Sequence, residues 1–224
     1  MGTFHEPIEC KIGELFLENR LVIPAYQRPY SWSVDQIEDL WFDMRECIKT
    51  EQNHYIGPMY FTTTGVPKAP LEVTDGQQRI TSFQLFFLAM LKVIENKLST
   101  YQDSEFQKKY LELHARLLNL NRRNGKLILE LGSSDKDAYK KLTDNYSEVP
   151  VELDKWKDDF DNSLVFLKSA EMLHRNFTYF ADKLEKMVLD HIPEIDDEVE
   201  ITENTIQRIR KGYIAAVDSL SNAL

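Results

Sequence analysis

Apolar residues recur at helical spacing through most of this chain and switch to strand-like alternation only in short stretches. Ile12, Leu15 and Phe16 give Glu9 to Asn19 one apolar face, which predicts a short amphipathic helix. Leu21 to Ile23 predicts an extended run into Pro24. A second helix is expected from Ser33, where Ser33 and Gln36 fit a Ser-x-x-Gln capping box. Ile37, Leu40, Trp41, Met44 and Ile48 then follow at helical spacing. His54 to Thr63 alternates and is rich in aromatics, so it reads as a strand. Pro58 cannot donate to a ladder and puts that strand at an edge or a bulge. Gly65 to Pro70 reads as a loop, Leu71 to Thr74 as a short strand and Asp75-Gly76 as a turn, followed by a long helix through Leu98.

From Tyr101 onward the pattern is mostly helical. Phe106 to Leu120 is one helix; Lys126 to Leu131 reads as a strand or hairpin arm after the turn-like Asn124-Gly125. Ser134 is expected to open a short helix, capped against Asp137. Asn162 to His191 predicts a long helix stopped by Pro193, Ile192 to Glu200 an acidic solvated connector, and Thr202 to Leu224 a last helix. The pattern gives an α+β fold. A mixed α/β portion covers residues 1–98 and a mostly helical portion covers residues 99–224, and the two can share a core.

Composition narrows the class. At 224 residues and 42% hydrophobic content the chain can bury a real core. No run approaches the roughly 20 apolar residues of a membrane helix; Ile80 to Ile94 is broken by Thr81, Ser82, Gln84 and Lys92. The start, MGTFHEPIEC, lacks a signal peptide's basic and apolar regions and makes no persuasive myristoylation signal. The two cysteines, Cys10 and Cys47, form no metal-ligand spacing, which points to a reducing cytoplasm. A net charge of −10 argues against a protein that coats nucleic acid, so any DNA contact must be local. Arg122, Arg123 and Lys126 are the local candidates; solvated surface charge is the alternative.

Two segments carry chemistry. Leu71 to Leu91 runs strand, tight turn, apolar helix, a geometry that aims helix-start N–H groups at an anion. Gly76 permits the turn, Gln77 and Gln78 bring amides, Arg79 brings a planar guanidinium for phosphate, and Thr81 and Ser82 bring hydroxyls. Asp75 can hold a Mg²⁺ that bridges phosphates, or orient Arg79. An Asp-Gly turn with a surface-paired arginine is the plainer reading. A Walker A loop is absent. In Ile23 to Trp32 (IPAYQRPYSW), two prolines stiffen a path that presents Tyr26, Gln27, Arg28, Tyr30 and Trp32. Aromatics beside an arginine can stack a base and contact phosphate, while Tyr30 and Trp32 also suit a core. Glu72, Asp75 and Gln78 are the candidates to position a water.

The order Ile-Pro-x-Tyr-Gln-Arg-x-Tyr-x-Trp, Tyr-x-Gly, Asp-Gly-Gln-Gln-Arg-x-Thr, here Ile23 to Trp32, Tyr55 to Gly57 and Asp75 to Thr81, resembles the amino-terminal domains of GmrSD-type restriction systems. The resemblance implies a ParB/sulfiredoxin-like domain that binds and hydrolyses nucleoside triphosphates, with Asp75, Gly76, Gln77, Gln78 and Arg79 as the nucleotide site. Tyr26, Gln27 and Arg28 would line the facing wall or help sense DNA. It implies modified DNA and a nuclease region or partner nuclease as associates. Pro58 departs from the small polar residue more usual there. The five histidines, His5, His54, His114, His174 and His191, form no nuclease-like cluster, so cleavage by this chain alone is not expected. Sulfiredoxin-type reduction is disfavoured, because Gln77-Gln78 stand where that chemistry needs a cysteine. Two functions compete on this evidence: an NTP-hydrolysing sensor domain, and a noncatalytic DNA- or nucleotide-binding module that regulates a nuclease. A helical scaffold with a degenerate pocket is the third reading.

Overall fold

The long apolar run becomes helix α3 (Gln77–Lys97), in which every residue from Ile80 through Leu91 is buried. A helix that is apolar all round must be enclosed on all sides. In this computed structural model, which describes residues 7–50, 52–132, 135–157, 164–193 and 202–224, the enclosure comes from four helices. They are α1 (Ile12–Glu18), α2 (Val34–Thr50), α4 (Ser104–Asn121) and α7 (Leu164–His191). Phe87 meets Phe16 of α1 edge-on at 5.3 Å; Phe86 meets Trp41 of α2 at 6.5 Å and Phe180 of α7 at 5.5 Å. Helices α5 (Lys136–Asp144) and α6 (Leu153–Lys157) pack on α7, and α8 (Glu203–Asn222) covers α4 and α7.

The polar residues inside α3 find partners within the protein. Thr81 and Ser82 return their hydroxyls to the Gln77 and Gln78 carbonyls at 2.8 and 2.9 Å. Gln84 donates to Asn121 Oδ1, and Lys92 to the Val149 carbonyl at 2.6 Å. Among the described residues no helix is long and apolar enough to cross a membrane.

A small sheet lies beside this bundle, in the order β2 (Tyr60–Thr62), β3 (Leu71–Asp75), β1 (Leu21–Val22), β6 (Leu129–Glu130). β1 is central and runs parallel to both neighbours, with Leu21 opposite Leu71 and Leu129; β2 is antiparallel to β3. The sheet therefore draws a strand from each side of residue 98, and one apolar core serves both. β4 (Arg122–Arg123) and β5 (Lys126–Leu127) form a separate hairpin on the Asn124-Gly125 turn.

Three expectations need correction. The strand over His54 to Thr63 shrinks to Tyr60–Thr62, because Gly57 takes φ +87° and the carbonyls beside it turn toward Arg79 instead of a ladder. Lys126 to Leu131 breaks into β5 and β6, since Ile128 returns to the Asn121 carbonyl while β6 joins the larger sheet. The amino-terminal helix is shorter than Glu9 to Asn19 and starts at Ile12, where Glu14 reaches back to the Lys11 N–H. Ser134, Asn162 and the acidic stretch from residue 194 to 200 lie outside the described residues.

Phe86 is fully buried and touches rings from three elements, so Phe86→Ala should cost about 3–5 kcal/mol in urea unfolding. Asp103 caps α4 by accepting the Glu105 and Phe106 N–H groups at 3.1 and 3.0 Å and pairs with Arg210. The Phe106 N–H and the Arg210 guanidinium hold its carboxyl below the ordinary 3.8. A depressed folded value means that this stabilisation is present above the unfolded pKa and fades as pH falls through the folded one. The melting-temperature gap between wild type and Asp103→Asn should therefore close as pH is lowered below about 4.

Candidate functional site

Parallel β1, β3 and β6 deliver their carboxyl ends to one edge of the sheet. Ligands of open α/β sheets bind at such edges. Three connections gather there: residues 23–33 after β1, Gly76 after β3, and residues 131, 132 and 135 after β6.

The middle connection sets up the chemistry. Gly76 takes φ +91°, and a side chain there would meet Met59 Cγ at 2.9 Å, so both conformation and space call for glycine. As the N-cap of α3 it offers no side-chain oxygen, and the helix carries no acidic residue in its first turn. The first N–H groups of a helix lack intrahelical acceptors and carry the positive end of its dipole. The start of α3 is thus uncapped by its own side chains and suited to an anion.

The proline-stiffened loop is fastened across this start. Gln27 Nε2 donates to the Thr74 carbonyl at 3.0 Å. Gln78 accepts the Ser31 N–H at 2.8 Å and donates to the Pro29 carbonyl at 3.2 Å. Arg28 lies between these fastenings, exposed, and makes no hydrogen bond or ion pair with the described residues. Tyr26, 72% exposed, donates to Glu72 Oε1 at 2.5 Å, which also lifts its own pKa. Tyr30 turns inward: its hydroxyl bonds Ser82 Oγ at 2.7 Å and accepts from Asn176 Nδ2 at 2.8 Å. Burial pushes Tyr30 up to about 12 against those two bonds, so it stays a neutral phenol.

Arg79 reaches the other way. Nη1 donates to the Ile56 carbonyl and Nη2 to the Pro58 carbonyl at 2.7 Å. Neutral carbonyls fix the guanidinium without cancelling its charge, and three of its five N–H donors remain. These carbonyls, and not Asp75, orient Arg79. Asp75 ends β3 exposed, its carboxylate without a hydrogen bond or ion pair to the described residues. Gln77 opens α3 half-buried beside it.

The remaining candidates are placed elsewhere or already engaged. The hydroxyls of Thr81 and Ser82 face the interior. Arg122 pairs with Asp144, and Arg123 donates to the Phe16 and Leu17 carbonyls at the end of α1. Of the basic hairpin only Lys126 stands exposed. Among the described residues no three His, Cys, Asp or Glu groups gather. Asp75 suits a Mg²⁺ held mainly by substrate phosphates and water, which needs only one or two protein carboxylates.

Sequence reading missed the Ile56 and Pro58 carbonyls, Met59, Asp135 and Asn176. Gly57 in its Tyr-x-Gly setting was the available signal for the first two: a side chain there would run into Arg79 Nη1. Asp135 and Asn176 sit more than a hundred residues from Tyr30, and no local pattern announces them.

Fold and geometry together define an α+β domain in which the start of α3, without a side-chain cap, lies at the sheet edge, with Arg79 in its first turn and Arg28 on the loop fastened across it. The chain matches the family model described as GmrSD restriction endonuclease, N-terminal domain, over residues 12–216, and belongs to that family. It is accordingly part of a restriction or phage-defence protein. No curated protein matches it significantly.

Gly57→Ala should destabilise the domain by about 1–3 kcal/mol, the cost of a side chain held at positive φ. It should also release Arg79 from its carbonyls, which hydrogen exchange across residues 54–60 would register as faster exchange.

Proposed function

We propose that this chain is the nucleoside-triphosphate-binding and -hydrolysing sensor domain of a modification-dependent restriction or phage-defence protein, acting with DNA and with a nuclease region or partner nuclease. One observation carries the reading. The start of α3 carries no side-chain cap, and Arg79 in its first turn and Arg28 on the loop across it are guanidiniums that no carboxylate neutralises among the described residues, in a chain of net charge −10. Polyphosphate is the ligand that such a concentration of positive potential fits.

Phosphate oxygens would take the N–H groups at the start of α3 and the spare donors of Arg79, with Arg28 closing from the loop. Asp75 would hold Mg²⁺, which supplies charge neutralisation on the phosphates when bound. Hydrolysis forms a bond from a water oxygen to the terminal phosphorus and breaks the bond to the leaving phosphate oxygen. The water's proton passes to solvent or to a carboxylate. Of the residues able to position that water, Glu72 is engaged by Tyr26 and both polar atoms of Gln78 are taken by the loop. Asp75 is left.

The same fact favours a second reading, a noncatalytic nucleotide-binding module, if Asp75 alone is insufficient. The measurements are titration calorimetry and phosphate release with each NTP, with and without Mg²⁺. Arg79→Ala should weaken binding by about 1.5–3 kcal/mol, with Arg79→Lys recovering part of it. Arg28→Ala should weaken binding while leaving the melting temperature unchanged, since its side chain holds none of the described residues. Asp75→Ala should spare most binding and abolish Mg²⁺-dependent phosphate release. Binding without release in the wild type establishes the second reading, and wild-type affinity in folded Arg28→Ala and Arg79→Lys proteins overturns both.

A further inference from the structure

Asp135 occupies the N-cap position of α5, where a carboxylate ordinarily accepts N–H groups of its own helix. Here it makes no capping bond, and Oδ2 accepts the Tyr30 N–H at 2.6 Å. The residue is 6% exposed, and Oδ1 is buried without a hydrogen-bond partner. Burial pushes its carboxyl above 3.8, opposed by the Tyr30 N–H and by Ser169, which stands near without forming a well-made hydrogen bond. An uncapped helix and a half-satisfied buried carboxylate are both unfavourable to α5. The bond to Tyr30 is what they serve.

That bond belongs to a three-sided grip on residues 29–32. Gln78 of α3 holds Pro29 and Ser31, Asp135 holds the Tyr30 N–H, and Asn176 of α7 donates to the Tyr30 hydroxyl and to the Trp32 carbonyl at 2.9 Å. Gly132, shortly before Asp135, lies directly against the start of the same loop: a side chain there would meet the Pro24 carbonyl oxygen at 2.7 Å. Gln27 is fastened to Thr74 on the strand side, and Arg28 is left exposed between the two holds.

We propose that Asp135 is a positioning residue of the anion site: it fixes the loop from behind so that Arg28 stays at the start of α3. The effect on ligand rests on the nucleotide-site reading above; the effect on the loop does not. Asp135→Leu removes the acceptor at similar bulk. Asp135→Asn keeps an acceptor for Tyr30 and places an N–H where Oδ1 has none.

The test uses the full chain, with hydrogen exchange over residues 24–33 and calorimetric titration of ATP and GTP. Asp135→Leu should speed exchange at Tyr30 and Ser31 and weaken nucleotide binding by about tenfold, as for loss of one charge-assisted hydrogen bond. Asp135→Asn should restore both. In an Arg28→Ala background Asp135→Leu should weaken binding by less than about twofold, because residues acting through one another are not additive. A role confined to the stability of α5 would instead give the same loss in both backgrounds, and that result overturns the proposal. Unchanged exchange at Tyr30 in Asp135→Leu overturns it equally. If Asp135→Leu does not fold, Asp135→Ala carries the same comparison. If the wild type binds no nucleotide, the proposed function falls, and the exchange measurement still decides whether Asp135 holds the loop.

Discussion

Enclosing α3 on every side is the constraint from which the rest of the structure follows. Once Ile80 through Leu91 are buried, the helix has only its two ends to present to solvent, and its amino end emerges at the edge of the sheet where three connections meet. Gly76 turns the chain into that end without covering it. The surrounding loops are then organised by α3 side chains: Gln78 and Ser82 toward residues 29–31, Arg79 toward residues 56–58. One helix supplies the hydrophobic centre, an amino end without a side-chain cap, and the struts that shape the rim.

Much of this was legible in the sequence, because it depends on short-range rules. Periodicity gave α2, α3, α4 and α8 with their apolar faces, and the Asp-Gly dipeptide between an alternating run and an apolar helix gave the strand–turn–helix unit. What was hidden depends on partners distant in the chain. The aromatic stretch around Tyr55 carries strand-forming residues, yet two carbonyls there are worth more to a partly buried guanidinium than to a sheet edge. The split of Lys126 to Leu131 follows from β1, which is too short to pair with more than two residues.

The same distinction separates residues that form the rim from those that stand behind it. Candidates chosen by chemical type included Thr81, Ser82 and Gln78, whose polar groups are spent inside, and Arg122 and Arg123, whose guanidiniums are tied to α5 and α1. Arg28, Asp75, Gln77 and Lys126 are the candidates whose side chains have no partner among the described residues. Residue type tells which chemistry is available; only the hydrogen-bond census tells which of it is still on offer.

The brevity of β1 has a consequence for how the protein is made. Two residues bridge strands contributed by far-apart parts of the chain, and its flank is tied to β5 by Arg20 donating to a carbonyl 107 positions away. Contacts of such high sequence separation require the intervening loop to be closed first. Local helices can form on a nascent chain as they emerge, but the edge where Arg28, Gly76 and Asp135 meet has no existence until residues beyond Glu130 have left the ribosome. A ligand at that edge would therefore meet only a chain synthesised past Asp135, and would stabilise the folded product without templating its early stages.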